Sequence, residues 1–447
     1  MQTTRVRLLI VVFACSLSHL YAQVKPALTL SLTLRDAVRL ALSPEGNLAL
    51  GVADQSVAAA MARFRESQAA RKPDVDFSFN AVNQRLSLDA FGFQSIHVPG
   101  FMFPRAVGPF DVLESRVHIR QNLFDEAILR RKDAAHAGIA AAQTETDEVR
   151  DQIAGRVARL YLQAQRDASA VETAQALVVT AESTLKEIGN RNAEGQALGV
   201  DVSQARVEVA GAKQNLLKAQ LVKARTEIDL LNAMNRDLNT PLELTEPLTF
   251  AGQDTPPADQ AVSTALQSRS EILTLQKKLQ TTRLNDVAIH AERFPTLAAY
   301  ADAGTTGNSV RRSTGAYDAG VVLKIPILDG GRRESQRSEV MAAVRQQELQ
   351  MAQLRKQVEI EVRQALLRLD MARGDVALAE ARYRSAQDEL EHRRRRYTQG
   401  IGSQMDVNGA QAGLAKAADG RMAALHDWNE ARVDLLQALG TIRTLAQ

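Results

Sequence analysis

The chain has 447 residues, a net charge of only +3 and 4% aromatic residues, so nothing in its overall balance calls for nucleic acid as a partner. Few aromatics and many alanines suit thin helical packing better than a thick globular core. Cys15 is the only cysteine, which excludes an intramolecular disulfide and a thiolate metal cluster.

The N-terminus carries Arg5 and Arg7, an apolar run from Leu8 to Leu17, and then Leu20-Tyr21-Ala22. That is the layout of a secretory signal peptide over residues 1–22, with the mature chain beginning near Gln23. Val12-Phe13-Ala14-Cys15 offers a second processing site of the lipoprotein type, in which Cys15 becomes lipidated. Beyond residue 22 no stretch approaches the roughly 20 apolar residues of a membrane-spanning helix, so a membrane crossing would have to be made by strands.

The rest of the chain is two copies of one unit, residues 23–238 and 260–447. Leu123-Phe124-Asp125 recurs as Ile327-Leu328-Asp329, Gly195 as Gly400, Asp201-Val202 as Asp406-Val407, and Leu230-Leu231 as Leu435-Leu436. Further upstream the offset widens: Ala37-Val38 and Ala41 match Ala261-Val262 and Ala265. The first copy therefore holds extra residues between Pro73 and Leu123. The intervening segment, 239–259, contains Pro241, Pro247, Pro256 and Pro257 and reads as a linker that cannot be a helix interior.

Each copy opens with a short helix and then holds two alternating stretches. In copy one, Val75, Phe77, Phe79 and Ala81 alternate with Asp74, Asp76, Ser78 and Asn80, and Leu113, Ser115, Val117 and Ile119 alternate with charged residues. In copy two, Leu297, Ala299 and Ala301 flank Tyr300 and Asp302, and Tyr317, Ala319, Val321 and Leu323 alternate with Asp318, Gly320 and Val322. Strands of about 9 to 11 residues, apolar on one face and polar on the other, are what a membrane barrel requires. Val75, Phe77, Phe79, Tyr317, Val321 and Leu323 are the expected lipid-facing residues. Four strands cannot close a barrel, so the chain is expected to assemble with copies of itself.

Two long segments follow in each copy, with apolar residues stepping by 3 and 4 as in a coiled-coil seam: Val171, Ala174, Val178, Ala181, and in copy two Ala365, Leu369, Ala372, Val376, Ala379. After Gly195 or Gly400 a second seam starts, with Val202, Ala205, Val209 matching Val407, Ala410, Leu414. Each copy should fold into a helical hairpin. A helix of about 60 residues, beginning near Glu334 and ending before Gly400, would span roughly 90 Å.

Other motifs have plainer readings. Asp329-Gly330-Gly331-Arg332-Arg333 lacks the Gly-Lys-Ser/Thr of a phosphate loop and reads as a strand-to-helix elbow. The seven histidines show no H-x-x-x-H pair or carboxylate at ligand spacing, so no metal site is expected. No serine sits in a nucleophile context, and paired acids lie beside arginines, so no catalytic residue and no cofactor is expected. Arg393 to Arg396 reads as a solvated helix end matched to the helix dipole, with a partner contact as the alternative. Phe91, Phe93, Phe101, Phe103 and Phe110 are expected in an outer loop.

The opening Leu34 to Leu42, the strand exits Leu123-Phe124-Asp125 and Ile327-Leu328-Asp329-Gly330-Gly331, and the turn motifs Glu194 to Ala205 and Tyr397 to Ala410 resemble the TolC family of outer-membrane factors over nearly the whole mature chain. The resemblance implies a mainly α fold with a membrane β-barrel part: a homotrimer whose twelve-stranded barrel, in contact with outer-membrane lipid, continues into a periplasmic α-helical barrel. It implies export of drug, metal or protein through a tripartite efflux or type I secretion system, with the helical tips docked to a periplasmic membrane-fusion adaptor protein and an inner-membrane transporter. Tyr397 and Asp201 match two positions that lock the family's entrance, and Asp406 matches one acidic position at its pore constriction. Gly402 and Gly409 stand where a locking arginine and a second acid are expected, so lock and ring should be weak. Capping of helix starts is the alternative role of Asp201 and Asp406. A periplasmic coiled-coil scaffold is the competing function, but it leaves the alternating stretches without a purpose.

Overall fold

The structure, a computed structural model, describes residues 29–93, 99–250 and 255–447. The expected signal peptide, its cleavage site and Cys15 lie outside these residues. The first copy runs β1 (Leu30–Leu32), α1 (Leu34–Ala41), α2 (Leu48–Ala69), β2 (Asp74–Ser87), β3 (Ala106–Phe124), α3 (Glu126–Ala193) and α4 (Gly199–Ala233). After β4 (Leu242–Leu244) the second runs α5 (Ala258–Ser268), α6 (Ser270–Ala291), β5 (Thr296–Gly307), β6 (Ser313–Lys324), α7 (Arg332–Thr398) and α8 (Gln404–Ala438). A 3-10 turn, Ile442–Ala446, ends the chain. Among the described residues no helix is long and apolar enough to cross a membrane.

The duplicated motifs start and stop the helices. Asp125 leaves β3 and accepts the Ile128 N–H at 3.1 Å; its counterpart Asp329 accepts from Gly331 and Arg333 N–H at 3.3 and 3.2 Å. A carboxylate at a helix start satisfies orphan donors and complements the dipole. The expected elbow is present: Gly330 and Gly331 both have positive φ, 67° and 83°, a conformation that glycine adopts without a Cβ clash. The helix before Gly400 runs from Arg332, giving 67 residues, or about 100 Å at the α-helical rise. The strands exceed the expected 9 to 11 residues, at 14 and 19 in copy one and 12 each in copy two.

α3 and α7 run the full length of the helical layer. Near the sheet the helices lie in the order α2, α3, α6, α7; toward the far end the order is α4, α3, α8, α7. The expected seams are where the burial falls. Ala174, Val178, Ala205, Ala365, Leu369, Ala372, Val407 and Ala410 are all buried, whereas Ala379 is half-buried. Alanine seams let backbones approach closely, and the layer is one helix thick.

The linker differs from expectation. β4 pairs in parallel with β1, Leu30 opposite Leu242 and Leu32 opposite Leu244, and α5 begins at Ala258, inside the expected linker. Three-residue strands carry too little alternation to be read from sequence. The pair is held by Tyr161 of α3, whose hydroxyl donates to the Leu32 carbonyl at 3.0 Å. Burial pushes this phenol up to about 12, so it remains a donor. Around it Val38, Val157, Leu230, Leu231 and Ile442 form one core cluster. The matching cluster of copy two joins Ala261 and Ala265 to Val358, Val362 and Trp428.

Ala365 lies in this second cluster at 6% exposure, so Ala365→Leu should overpack the wall and cost about 1 to 3 kcal/mol. Arg382→Ala, on an exposed face of α7, should change little. Denaturant unfolding followed by circular dichroism measures both, and equal tolerance would place Ala365 outside the packed layer.

Candidate functional site

Two regions carry the features that a conduit needs: the four-stranded sheet and the paired helical turns at the far end. The sheet order is β2-β3-β5-β6, all antiparallel. Directly opposed residues point to the same face, so the register can be read as rows. One face holds Phe77, Val117, Ala303 and Tyr317 in a row, beside Val75, Ile119, Ala301 and Ala319. Val321 opposes Ala299, and Leu323 opposes Leu297. All six residues expected to meet lipid therefore share one face, and their exposure runs from 59% at Phe79 to 86% at Tyr317.

The opposite face is polar. Asp76, His118, Asp302 and Asp318 form one row. His118 makes a 2.8 Å hydrogen bond through Nε2 with the Ser78 hydroxyl and pairs through Nδ1 with Asp302. Arg116 pairs with Glu114 on the same face. The outer edges of β2 and β6 have no strand beside them among the described residues.

At the other end the two turns are built alike. Gly195 and Gly400 both have φ of 75°, and the following N–H closes back on the last helical turn, Gln196 to the Arg191 carbonyl at 2.7 Å and Ile401 to the Arg396 carbonyl at 3.0 Å. This is a Schellman-type stop. Six residues beyond each glycine an aspartate reaches back: Asp201 accepts the Leu198 N–H at 3.0 Å and Asp406 accepts the Ser403 N–H at 3.2 Å. Ser403 returns the bond to the Asp406 N–H at 3.1 Å, a reciprocal capping box; at Leu198 no hydroxyl exists to do so. The Ser403 backbone N–H, its hydroxyl and then Arg393 and Arg396 hold the Asp406 carboxyl below its ordinary value.

Capping thus accounts for both aspartates. Tyr397 is 47% exposed, and the structure does not bring it to Asp201, because α7 and α4 lie at opposite edges of the helical layer. Gly402 sits against the backbone of Arg396 and Tyr397. In the arginine run, Arg393 lies 3.5 Å from Glu389 and 3.8 Å from Asp406, Arg395 pairs with Glu391, and Arg396 donates to the Ile401 carbonyl at 3.3 Å. The contacts joining the hairpins leave no mark in residue spacing. Asn408, 4% exposed, donates to the Thr184 hydroxyl at 3.1 Å, and Arg191 reaches the Met405 sulfur at 3.7 Å. Two further departures concern residues expected elsewhere. Phe110 lies within β3, not in an outer loop. His426, Asp427 and Glu430 bring ligand-type atoms within 4.8 Å of one another, so a histidine with carboxylates at ligand spacing, expected to be absent, is present.

Because the Asp406 carboxyl is depressed in the folded state, its contribution is fully present above the ordinary carboxylate value of 3.8 and is lost as pH falls through the lower folded value. Asp406→Asn should therefore loosen the turn at neutral pH, seen as faster proteolysis between Gln399 and Ser403, and the wild type should approach the variant only in strong acid. Equal cleavage rates at neutral pH would leave the cap without effect.

The comparisons with known proteins agree with this geometry. The family model described as outer membrane efflux protein matches residues 40–236 and 261–441. Among solved structures, the chain is similar to the CmeC outer membrane channel of Campylobacter jejuni, with 17% identity, 91% of this chain and 85% of that chain covered and a TM-score of 0.74. It is similar to the outer membrane protein VceC of Vibrio cholerae (18%, 91% and 96%, 0.72) and to the open state of the MtrE outer membrane channel of Neisseria gonorrhoeae (18%, 93% and 90%, 0.72). Against curated sequences taken individually, there is no significant match. With both halves of the duplicated chain matched and the strand-hairpin order in place, this chain belongs to the outer membrane efflux protein family.

Proposed function

We propose that three copies pair β6 of one chain with β2 of the next to close a twelve-stranded barrel, and that their helical layers close below it into one continuous duct. Membership of the family makes the chain an efflux channel subunit of the outer membrane with a periplasmic extension. The observation that carries closure by copies is the sheet itself: four strands, amphipathic over the rows that cross all of them, with both outer edges unpaired among the described residues. In hydrocarbon an open edge leaves unsatisfied N–H and C=O groups, so closure is obligatory, and bacterial barrels of even strand number start at about eight. The helical edges support the same assembly. α4 exposes Val207, Leu217 and Leu221, and α7 exposes Leu367, Met371 and Leu378, apolar surfaces that neighbouring copies would cover.

In this reading Val75, Phe77, Phe79, Tyr317, Val321 and Leu323 face lipid, the row of Asp76, His118, Asp302 and Asp318 faces the lumen, and the chain is a passive exit path that catalyses no reaction. Its tips dock to a periplasmic adaptor and an inner-membrane transporter. Tyr397 and Asp201, at opposite edges of the layer in one chain, can meet only across two copies, while Asp406 contributes three carboxylates near the entrance in addition to its capping. The coiled-coil scaffold reading gives the amphipathic sheet nothing to do.

Cell fractionation should place the protein in the outer membrane, and an unheated denaturing gel should show a trimer. Val321→Arg should lower stability by about 2 to 4 kcal/mol if it lies near the bilayer midplane, while Asp318→Asn on the opposite face should leave the trimer intact. A monomer in the aqueous fraction would overturn the barrel, and equal effects at both positions would overturn the assigned faces.

A further inference from the structure

We infer that the outer ends of β2 and β3 form a second contact surface between copies, in which the three hairpins lean over the barrel mouth and narrow it. This rests on the trimeric barrel proposed above. The observation is a reversal of polarity along the strands. From Val75 to Ala81 the odd-numbered residues of β2 are apolar and the even-numbered ones polar. Past the Ala81–Leu113 row the pattern inverts: Asn83, Arg85 and Ser87 occupy the face that was apolar, and Val82, Gln84 and Leu86 occupy the other.

The partner strand inverts at the same level. Asp111 opposes Asn83 and accepts its side-chain N–H at 2.8 Å, while Val112 opposes Val82, Phe110 opposes Gln84 and Val107 opposes Leu86. The inversion falls where the four-stranded sheet ends. Leu113 pairs with Gly307, and Gly307 with Ser313, in the last row that crosses all four strands. Beyond it β2 and β3 continue alone to the Ser87–Ala106 pair.

Below this level lipid lies outside and water inside; above it the outer face carries Asn83, Asp111 and Arg85, side chains suited to water and not to lipid. The apolar set points inward, where an open mouth would leave Val82, Leu86 and Val107 in water. Each is between 38% and 49% exposed in the single chain. Reach and position select further copies as the cover. The extension of about six residues spans roughly 20 Å, against a radius of about 12 Å for twelve strands at ordinary spacing and tilt. β2 is an edge strand, so its extension stands at the junction with the next copy. A bulge lies in the extension, at the register shift between Gln84 and Leu86. There Gly108 has φ of 105°, and a Cβ on it would come 2.7 Å from the Gln84 carbonyl. Bulges bend strands. At the tip Phe101 packs edge-on against Phe103 at 5.0 Å, which adds apolar surface.

The test uses the full-length trimer, with the unsubstituted chain as background for Cys15. Leu86→Cys and Asn83→Cys are treated with a short bis-maleimide, and Leu86→Asp is recorded in planar bilayers. Cross-linked chains are expected for Leu86→Cys and not for Asn83→Cys, together with a rise of about twofold or more in single-channel conductance for Leu86→Asp. Val82→Cys and Val82→Asp repeat the measurement if a Leu86 variant does not assemble. A conducting trimer in which the inward cysteines stay uncross-linked, or in which the aspartates leave conductance unchanged, overturns the inference and leaves the barrel standing. An unsubstituted chain that forms no trimer overturns both.

Discussion

Every backbone N–H and C=O that enters hydrocarbon must find its partner within the protein, and the outer edges of β2 and β6, unpaired among the described residues, are where one chain alone fails to meet that requirement. The amphipathic register gives the sheet an apolar face of Phe77, Val117, Ala303 and Tyr317 that suits lipid, and a polar face of Asp76, His118, Asp302 and Asp318 that does not. A sheet with those two faces is stable only if it curves until its edges meet. Four strands are too few to do so, and the molecule's function as a duct follows from that shortage: closure by identical copies leaves a lumen.

The helical layer answers the same geometry in a different material. Two helices of 68 and 67 residues span the whole layer, and shorter helices stack end to end beside them. With Ala174, Ala205, Ala365 and Ala372 buried at the seams, the wall stays thin and its stability is spread over many small contacts. The heavier packing sits in the two core clusters, where Tyr161, Leu230 and Leu231 of copy one and Val358, Val362 and Trp428 of copy two bind the short N-terminal helix of each unit. Arg443, near the C-terminus, reaches Asp147 at 3.1 Å and Asp151 at 2.8 Å in α3, so the C-terminal turn is tied into this level.

At the far end, the two turns show how a duplicated sequence yields parts of unequal strength. Both stop on a glycine with the same φ, and both restart on an aspartate that caps its own helix. Ser403 completes the box in copy two, and Leu198 cannot in copy one. Asp406 is also within reach of Arg393, so its charge is neutralised in part by its own hairpin. The tip is therefore held by local hydrogen bonds within each chain, and by Thr184–Asn408 between hairpins, before any contact with a second copy.

The sequence by itself determined the duplication, the helical hairpins, the strand alternation and the need for assembly, because each is written in local periodicity: steps of 3 and 4, steps of 2, and Gly or Asp at fixed offsets. It also sufficed for the positions of the strand exits, since Asp125 and Asp329 act on donors two to four residues away. Tertiary structure alone decided the β1–β4 pair, whose partners lie about two hundred residues apart, and the inter-hairpin contacts of Thr184 with Asn408 and Arg191 with Met405. It alone placed Phe110 in a strand and set Tyr397 and Asp201 at opposite edges of the layer. Those outcomes depend on which helix lies beside which and on the register of one strand against another, long-range choices that residue spacing along a single chain does not encode.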